Sequence, residues 1–229
     1  AYCYRNGIGT KVDSDKADKL LASIDVSDRV PDFAFFKNAP KLPDDALKPL
    51  VERYIAGAKT GRMLANAARL YLRGTNGLAP DFARAIALYE KAAALDGSFF
   101  ENLANVYKDN WVLKDDKKYF ENLSRYHDFF QKELPYVPHK VYFDLALCHL
   151  NGRGTARDGA KALAYFEKAA ERPYSTKTVP ALEALAYCAE KGIGRPSDPD
   201  EAAKLRKKAE ELMLAQTYPT GAKNAVAIA

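Results

Sequence analysis

The chain has three histidines and three cysteines, the side chains that most often carry acid–base, nucleophilic or metal chemistry. His127, His139 and His149 do not have the spacing of a His-Glu-x-x-His zinc motif, and no two cysteines form a Cys-x-x-Cys pair. Neither Ser-x-x-Lys nor Gly-x-Ser-x-Gly occurs. The sequence therefore predicts a non-enzymatic protein with no catalytic residue, no cofactor site and no metal site, in which His149 is a packed, half-buried residue.

Pairs of glycines are a second candidate for chemistry, because Gly-x-Gly loops cradle phosphates in dinucleotide-binding folds. They recur at 7–9, 152–154 and 192–194, and a one-residue insertion separates Gly74 from Gly77. No predicted strand precedes them, although the phosphate fingerprint requires one, so we interpret them as turns between helices. The first glycine of each turn is expected to adopt positive φ just past a helix. These structural turn residues are Gly7, Gly74, Gly152 and Gly192.

The segments around these glycines repeat, and Gly152 and Gly192 lie 40 residues apart, a spacing typical of helical-hairpin repeats. Apolar residues at intervals of three and four positions predict a helix before and after each turn. Asp81, Asp158 and Asp198 precede the second helix of their repeats and are predicted to cap it. Each unit is thus a helix, a glycine turn and a second helix.

The order Leu-Ala-x-x-Tyr-x-x-Gly-x-Gly, Asp-x-x-Lys-Ala and Tyr-x-Lys-Ala-Ala resembles the Sel1-like repeat, a relative of the tetratricopeptide repeat. Segments 145–170 and 67–93 match this pattern well, 181–209 moderately, and 98–134 loosely, with Asn110 in place of the turn glycine. The resemblance implies an all-α fold, a right-handed α-solenoid of about five to six helix-turn-helix repeats.

We predict a single solenoid over 1–213 and a C-terminal tail over 214–229. The predicted repeats lie near 1–24, 27–60, 61–97, 98–134, 138–172 and 178–213, those at 27–60 and 98–134 being degenerate. In the second degenerate repeat, the second helix is predicted to run from about Lys114 to Leu134. The chain starts within a repeat, so we expect the native protein to extend further toward its N-terminus.

Positions counted back from the turn residue predict how the helices pack. Alanine stands at minus six in each recognisable repeat, as close helix–helix approach requires. These alanines are Ala1, Ala68, Ala104, Ala146 and Ala186. The three cysteines share the minus-four position with leucine and valine, which predicts small buried hydrophobes and no disulfide between them. The minus-four residues are Cys3, Leu70, Val106, Cys148 and Cys188.

The minus-five position varies in chemistry beside these uniform neighbours, which indicates exposure. The resemblance places this face of the first helices on the concave side of the solenoid, where a partner would bind. Minus-nine residues, one turn earlier, are expected to share the face, Ala65 among them. The predicted partner-binding residues are Tyr2, Arg69, Asn105, Leu147, Tyr187, Glu101, Phe143 and Glu183. Trp111, which has no equivalent in the other turns, is added as the best single hot-spot candidate.

The net charge of +5 comes from basic residues interleaved with acidic ones, which argues against nucleic-acid binding. No apolar run reaches the roughly 20 residues of a membrane span. The resemblance implies a protein or peptide partner and a scaffold or adaptor role in a bacterial envelope or secretion-related assembly, with a periplasmic or envelope location favoured over a cytoplasmic one. The alternative is an immunity protein that caps a secreted toxin. A hydrolase is disfavoured.

Overall fold

The computed structural model describes residues 9–13, 15–16, 47–74, 78–134, 136–172 and 175–217. Nine α-helices have their bounds within these residues, and a single turn of 3-10 helix covers Gly97–Phe99. The helices are α1 Leu47–Ala56, α2 Gly61–Arg73, α3 Phe82–Leu95, α4 Phe100–Asp109, α5 Asp116–Glu133, α6 His139–Asn151, α7 Gly159–Ala170, α8 Thr178–Lys191 and α9 Pro199–Thr217. The predicted all-α class is confirmed.

The chain divides into two compact units, Ala1–Leu103 and Ala104–Ala229, and the boundary lies within α4. The pairs α2–α3, α4–α5, α6–α7 and α8–α9 coincide with four of the predicted repeats. α5 lies inside the predicted 114–134 helix, and α9 continues past residue 213 to Thr217. Most of the predicted repeats at 1–24 and 27–60 lies outside the described residues.

The α2–α3, α6–α7 and α8–α9 turns each begin with a glycine at positive φ, as predicted: φ is +66° at Gly74, +70° at Gly152 and +68° at Gly192. The glycine N–H donates to the carbonyl of the minus-four residue, which closes the last turn of the first helix. Gly7 lies outside the described residues.

An aspartate then starts the second helix with two hydrogen bonds. The backbone N–H of Asp158 donates to the carbonyl of His149 at 2.9 Å, while its carboxylate accepts from the Lys161 N–H at 2.9 Å. Asp81 and Asp198 repeat both bonds, so the predicted caps are confirmed. One residue type therefore both caps the second helix and ties it to the end of the first.

The second glycine of the pair serves a different purpose, close approach between successive hairpins. Gly154 lies against the start of α5, and a Cβ placed on it would overlap the carbonyl oxygen of Asp116 and lie 2.6 Å from the carbonyl carbon. Gly194 lies in the same way against Gly159 at the start of α7, where a Cβ would be 2.8 Å from the Ala160 nitrogen. These contacts leave no room for any side chain at the second position.

The α4–α5 turn departs from this design because Asn110 does not adopt positive φ; no described residue other than glycine does. The Asn110 carboxamide oxygen instead accepts from the N–H groups of Val112 at 2.9 Å and Leu113 at 3.1 Å. Asp115, which follows, makes the same two bonds as the other capping aspartates, to Tyr107 and Lys118. The degenerate repeat thus replaces the glycine turn with an asparagine turn and keeps the cap.

The minus-six alanines are the centre of the packing, with exposed fractions of 0–1% at Ala68, Ala104, Ala146 and Ala186. Cys148 and Cys188 are free thiols with exposed fractions of 1% and 0%, as predicted for small hydrophobes. Burial raises the pKa of the Cys148 thiol to about 11 and also raises the pKa of Cys188. Leu70 departs from the pattern because it is only half-buried. Ala1 and Cys3 lie outside the described residues.

Candidate functional site: the exposed faces of the first helices

The predicted partner-binding residues reach the surface to different degrees. In the first unit, Arg69 is exposed and Glu101 is half-buried. In the second unit, Glu183 and Tyr187 are exposed. Asn105, Leu147 and Phe143 are half-buried there. Tyr2 lies outside the described residues, and the expectation for Ala65 was wrong: its exposed fraction is 2% because it packs in the core of its unit.

In the second unit, α6 and α8 carry a surface of aromatic and aliphatic side chains. Phe143 packs edge-on against the buried Phe166 with ring centroids 5.6 Å apart, and the Lys177 ammonium lies 5.2 Å from the Phe143 ring. Leu147 packs on the same core cluster. Tyr187 has an exposed fraction of 48% and forms no hydrogen bond or ring contact with the described part of the chain. This surface offers apolar area and a free phenol.

Trp111 lies in the α4–α5 turn, beyond the end of α4, and not on a helix face with the other predicted residues. Its exposed fraction is 90%, and the adjacent Val112 is 48% exposed. The asparagine turn at Asn110 presents this pair to solvent. A large exposed aromatic of this kind is a typical interface anchor, so Trp111 stays a candidate in a separate location.

In the first unit, α2 presents a row of hydrogen-bond donors. Arg62, Arg69 and Arg73 are exposed, and Asn66 lies between them with an exposed fraction of 7%. These four residues occupy positions i, i+4, i+7 and i+11, which share one side of a helix. We refer to Arg62, Asn66, Arg69 and Arg73 as the α2 donor row. Sequence reasoning identified only Arg69 among them.

A cavity of about 930 Å³ in the first unit is lined by the charged residues Lys48, Glu52, Asp81 and Arg84 and by Tyr71. Tyr71 donates to one carboxylate oxygen of Glu52 at 2.5 Å, and Arg84 donates to the other at 2.6 Å. Burial, together with the Glu52 hydrogen bond, raises the pKa of Tyr71 to about 12. Tyr71 on α2 and Arg84 on α3 thus share Glu52 on α1 as their acceptor, so the arrangement links α1 to α2 and α3.

The family comparison matches the Sel1 repeat at residues 1–21, 62–97, 139–174 and 179–212, together more than half of the 229 residues. The chain belongs to the Sel1 repeat family. The unmatched stretches contain the two repeats predicted to be degenerate, and in the second of these the structure shows the asparagine turn. Sel1 repeats generally mediate protein–protein interactions and are generally non-catalytic.

Solved structures were compared with the fold. A Sel1 repeat protein from Oxalobacter formigenes superposes with a TM-score of 0.51 at 19% identity, over 94% of this chain and 73% of that one. A protective antigen of uropathogenic Escherichia coli with an SLR fold gives a TM-score of 0.49 at 20% identity, over 94% of this chain and 52% of that one. No curated protein matches the sequence. The Sel1 family match and the superposition on the Oxalobacter formigenes structure confirm the predicted α-solenoid class.

The three histidines, distant in sequence, meet around Tyr142 and Tyr165 within the second unit of this Sel1 chain. His149 stacks on Tyr165 with centroids 5.8 Å apart, and His127 meets the edges of Tyr142 at 5.5 Å and Tyr165 at 5.7 Å. His139 lies 6.4 Å from Tyr142. All three are buried, and burial lowers the pKa of His149, which favours the neutral ring. His149 packs as predicted but is buried, not half-buried, and sequence reasoning did not predict that the three histidines converge.

A charged cluster joins α4, α5 and α6. Lys108 pairs with the buried Asp144 at 3.5 Å, and Arg153 pairs with Asp116 at 2.6 Å while its guanidinium lies 4.5 Å from the Tyr119 ring. Burial and then the Asp144 charge raise the pKa of Tyr119, so the phenol stays protonated. Each of these charges has a partner, which makes the cluster a structural link between hairpins.

Across the described ranges, no group of three or more His, Cys, Asp or Glu side chains is arranged to hold a metal ion. None of the helices described is long and apolar enough to cross a membrane.

Proposed function

We propose that this Sel1 repeat chain is an adaptor that binds a protein partner along the exposed faces of the first helices of its hairpins. The observation that carries the proposal is the contrast between neighbouring positions. The minus-six alanines are buried in all four described repeats, whereas the minus-five residues next to them reach the surface. Those residues are Arg69, Asn105, Leu147 and Tyr187. Uniform buried alanines keep the helix packing the same in each repeat, while the varied surface residues beside them can contact a specific partner.

The second unit supplies the anchors of the proposed surface. Tyrosine is enriched at binding hot spots because it combines apolar area with a polar tip, and Tyr187 exposes both. Phe143 and Leu147 are half-buried, so a partner side chain that covered them would remove further apolar area from water without a large change in the helices.

We further propose that the chain acts within an assembly of the bacterial envelope and is located in the periplasm or at the envelope. It is supported by analogy with Sel1-like envelope scaffolds, and the Sel1 relative from Oxalobacter formigenes is bacterial. Fractionation of source cells with an antibody against the chain tests it. Recovery with periplasmic or envelope markers supports the location, and recovery with cytoplasmic markers contradicts it.

The binding proposal is tested by affinity capture from an extract of the source cells, with bound proteins identified by mass spectrometry. The wild-type chain is compared with Tyr187→Ala and with Leu214→Ala, a matched control on α9 whose wild-type residue is 47% exposed. We expect a specific protein to be captured by the wild type and the control and lost with Tyr187→Ala. Equal capture by all three chains, or no specific capture, would contradict the proposed face.

Two further results of the same experiment have defined meanings. Capture that survives Tyr187→Ala and is lost with Trp111→Ala moves the site to the α4–α5 turn. A single partner that resists high-salt washing, and whose toxic activity the chain blocks, replaces the adaptor with the immunity role.

A further inference from the structure

Three of the four residues of the α2 donor row have side-chain donors without an acceptor among the described residues. α2 contains three arginines and no Asp or Glu. Among the described residues, Arg62 and Arg73 form neither an ion pair nor a hydrogen bond. Arg69 donates a hydrogen bond to the Tyr89 hydroxyl and has no carboxylate partner there. The Nδ2 atom of Asn66 is buried and has no hydrogen-bond partner. Buried polar groups are paired in most proteins, so an unpaired amide donor within a row of arginines points to an absent acceptor.

Three arginines elsewhere among the described residues pair with carboxylates through the guanidinium group: Arg84 with Glu52, Arg153 with Asp116, and Arg206 with Glu190. Arg157, Arg172 and Arg195 have no carboxylate partner among the described residues, and Nε and Nη2 of Arg195 are buried without a hydrogen bond. The α2 donor row is therefore set apart because three such arginines share one side of a single helix, not because a carboxylate is missing.

One contact holds the row in place, and a cavity lies beside it. The Tyr89 hydroxyl accepts hydrogen bonds from both Arg69 and Asn102, which fixes the middle of the row against α3. Arg62 and Asn66 line a cavity of about 370 Å³ that also contains Thr60, Ser98 and Phe99. The row thus consists of one anchored arginine, one buried amide and two free guanidinium groups.

We propose that the α2 donor row binds an acidic, extended segment of the partner protein. This inference rests on the proposed function and specifies part of its ligand. At about 1.5 Å per residue, Arg69 and Arg73 are about 6 Å apart along the helix axis, and Arg62 and Arg69 about 10 Å. An extended peptide rises about 3.3 Å per residue and its alternate side chains share a face, so carboxylates at n and n+2 match the spacing of Arg69 and Arg73. A third carboxylate on that face, at n+6, lies about 13 Å further along, within reach of the long Arg62 side chain. Guanidinium groups bind carboxylates in bidentate pairs, which favours this partner.

A nucleic-acid strand fits the row less well. Single-stranded binding relies on exposed aromatic side chains on which bases stack. The one aromatic residue of α2, Tyr71, has an exposed fraction of 3%. The carboxylate of Asp96, which accepts from the Ser98 N–H at 2.9 Å, also lines the cavity beside Arg62 and Asn66; it opposes phosphates and carboxylates alike and does not decide between the two ligands.

The test uses a fluorescent peptide, acetyl-Gly-Glu-Ser-Glu-Gly-Ser-Gly-Glu-Gly, and the same peptide with glutamine in place of glutamate. Binding to the full chain is measured by fluorescence anisotropy at low ionic strength, and a labelled oligothymidylate serves as the nucleic-acid comparison. The variants are Arg73→Ala and the double variant Arg62→Ala/Arg73→Ala. These retain Arg69, whose loss would disturb Tyr89. Lys91→Ala, on the exposed side of α3, is the control that removes one positive charge elsewhere in the same unit.

We expect the glutamate peptide to bind and the glutamine peptide not to bind. Arg73→Ala should weaken binding at least about threefold and the double variant about tenfold, while Lys91→Ala stays within about twofold. Added salt should weaken binding because the pairs are exposed. Circular dichroism and the urea midpoint confirm that each variant is folded.

Any of three results would overturn the proposal: equal binding of the two peptides, equal loss in Arg73→Ala and Lys91→Ala, or tighter binding of oligothymidylate than of the glutamate peptide. Capture of a partner through Tyr187 does not depend on this peptide. If capture succeeds and the peptide fails, only the acidic ligand is wrong; if both fail, the adaptor role is wrong as well.

Discussion

Substituting the second glycine of a turn should cost far more stability than substituting the first. Gly152→Ala places a Cβ 2.9 Å from Cγ of Arg157, part of a flexible side chain. Gly154→Ala instead drives its Cβ into the Asp116 carbonyl, which belongs to the backbone of the preceding hairpin. Both glycines have positive φ, +70° and +72°, so alanine carries a conformational cost in either variant.

Beyond that shared cost, only Gly154→Ala meets a backbone obstruction between hairpins. Positive φ costs a non-glycine residue about 1–2 kcal/mol, which is the expected loss for Gly152→Ala. Overpacking adds about 1–3 kcal/mol, so Gly154→Ala should lose about 2–5 kcal/mol in total. Because the hindering atoms are backbone atoms, the overlap is relieved only by moving α5 away from the turn.

The assay is equilibrium urea unfolding followed by circular dichroism at 222 nm, with the wild type and both variants in the same buffer. The pair Gly192→Ala and Gly194→Ala repeats the comparison one hairpin later. There, the nearest atom to a Cβ on Gly192 is the Ser197 nitrogen at 3.3 Å. Equal losses within either pair would show that only the φ of the glycine matters and would refute the inferred role of the second glycine.

Three further predictions concern titratable groups and packing. Ultraviolet titration should show a tyrosine ionising near pH 12 that is missing in Tyr71→Phe. The protonated Tyr71 hydroxyl should contribute its full stability to the fold below pH 10 and lose it as the pH rises through about 12. Hydrogen bonding to the Lys161 N–H lowers the pKa of Asp158 below 3.8, so the ionised carboxylate stabilises the folded state. The wild type should therefore be more stable than Asp158→Asn above pH 3.8 and should lose this advantage as the pH falls through the lowered pKa. A difference in urea midpoint that stays constant down to about pH 2 would contradict this. Ala146→Leu should destabilise the fold by about 1–3 kcal/mol in urea unfolding because the alanine is fully buried, whereas the same change at the exposed Ala164 should cost little.

The features that the sequence predicted correctly are local ones. Glycine at positive φ and aspartate at a helix start each act within about four residues, so their roles can be inferred from spacing alone. The minus-six alanines were predictable for the same reason, since helical periodicity assigns a residue to a face once the helix is recognised. The α4–α5 turn was harder to interpret because Asn110 replaces positive φ with side-chain hydrogen bonds, an alternative that the glycine pattern does not contain.

What spacing alone could not provide was the environment across from each helix. Ala65 and Glu101 occupy the same repeat position, yet the first is buried and the second half-buried, because their neighbours differ in size and placement. The same limit applies to the candidate site: Arg69 could be proposed from its position, whereas Arg62, Asn66 and Arg73 could not.

The sequence by itself determined the repeat, its turns, its caps and the residues that face the core, because these depend on contacts within one hairpin. The tertiary structure decided which groups lack partners and which backbones touch. Gly154 meets Asp116, three histidines converge on two tyrosines, and Arg84 finds Glu52 while Arg73 finds no carboxylate among the described residues. The physical reason is that pairing and close approach depend on distances between residues far apart in the chain, which emerge only when the hairpins are packed together.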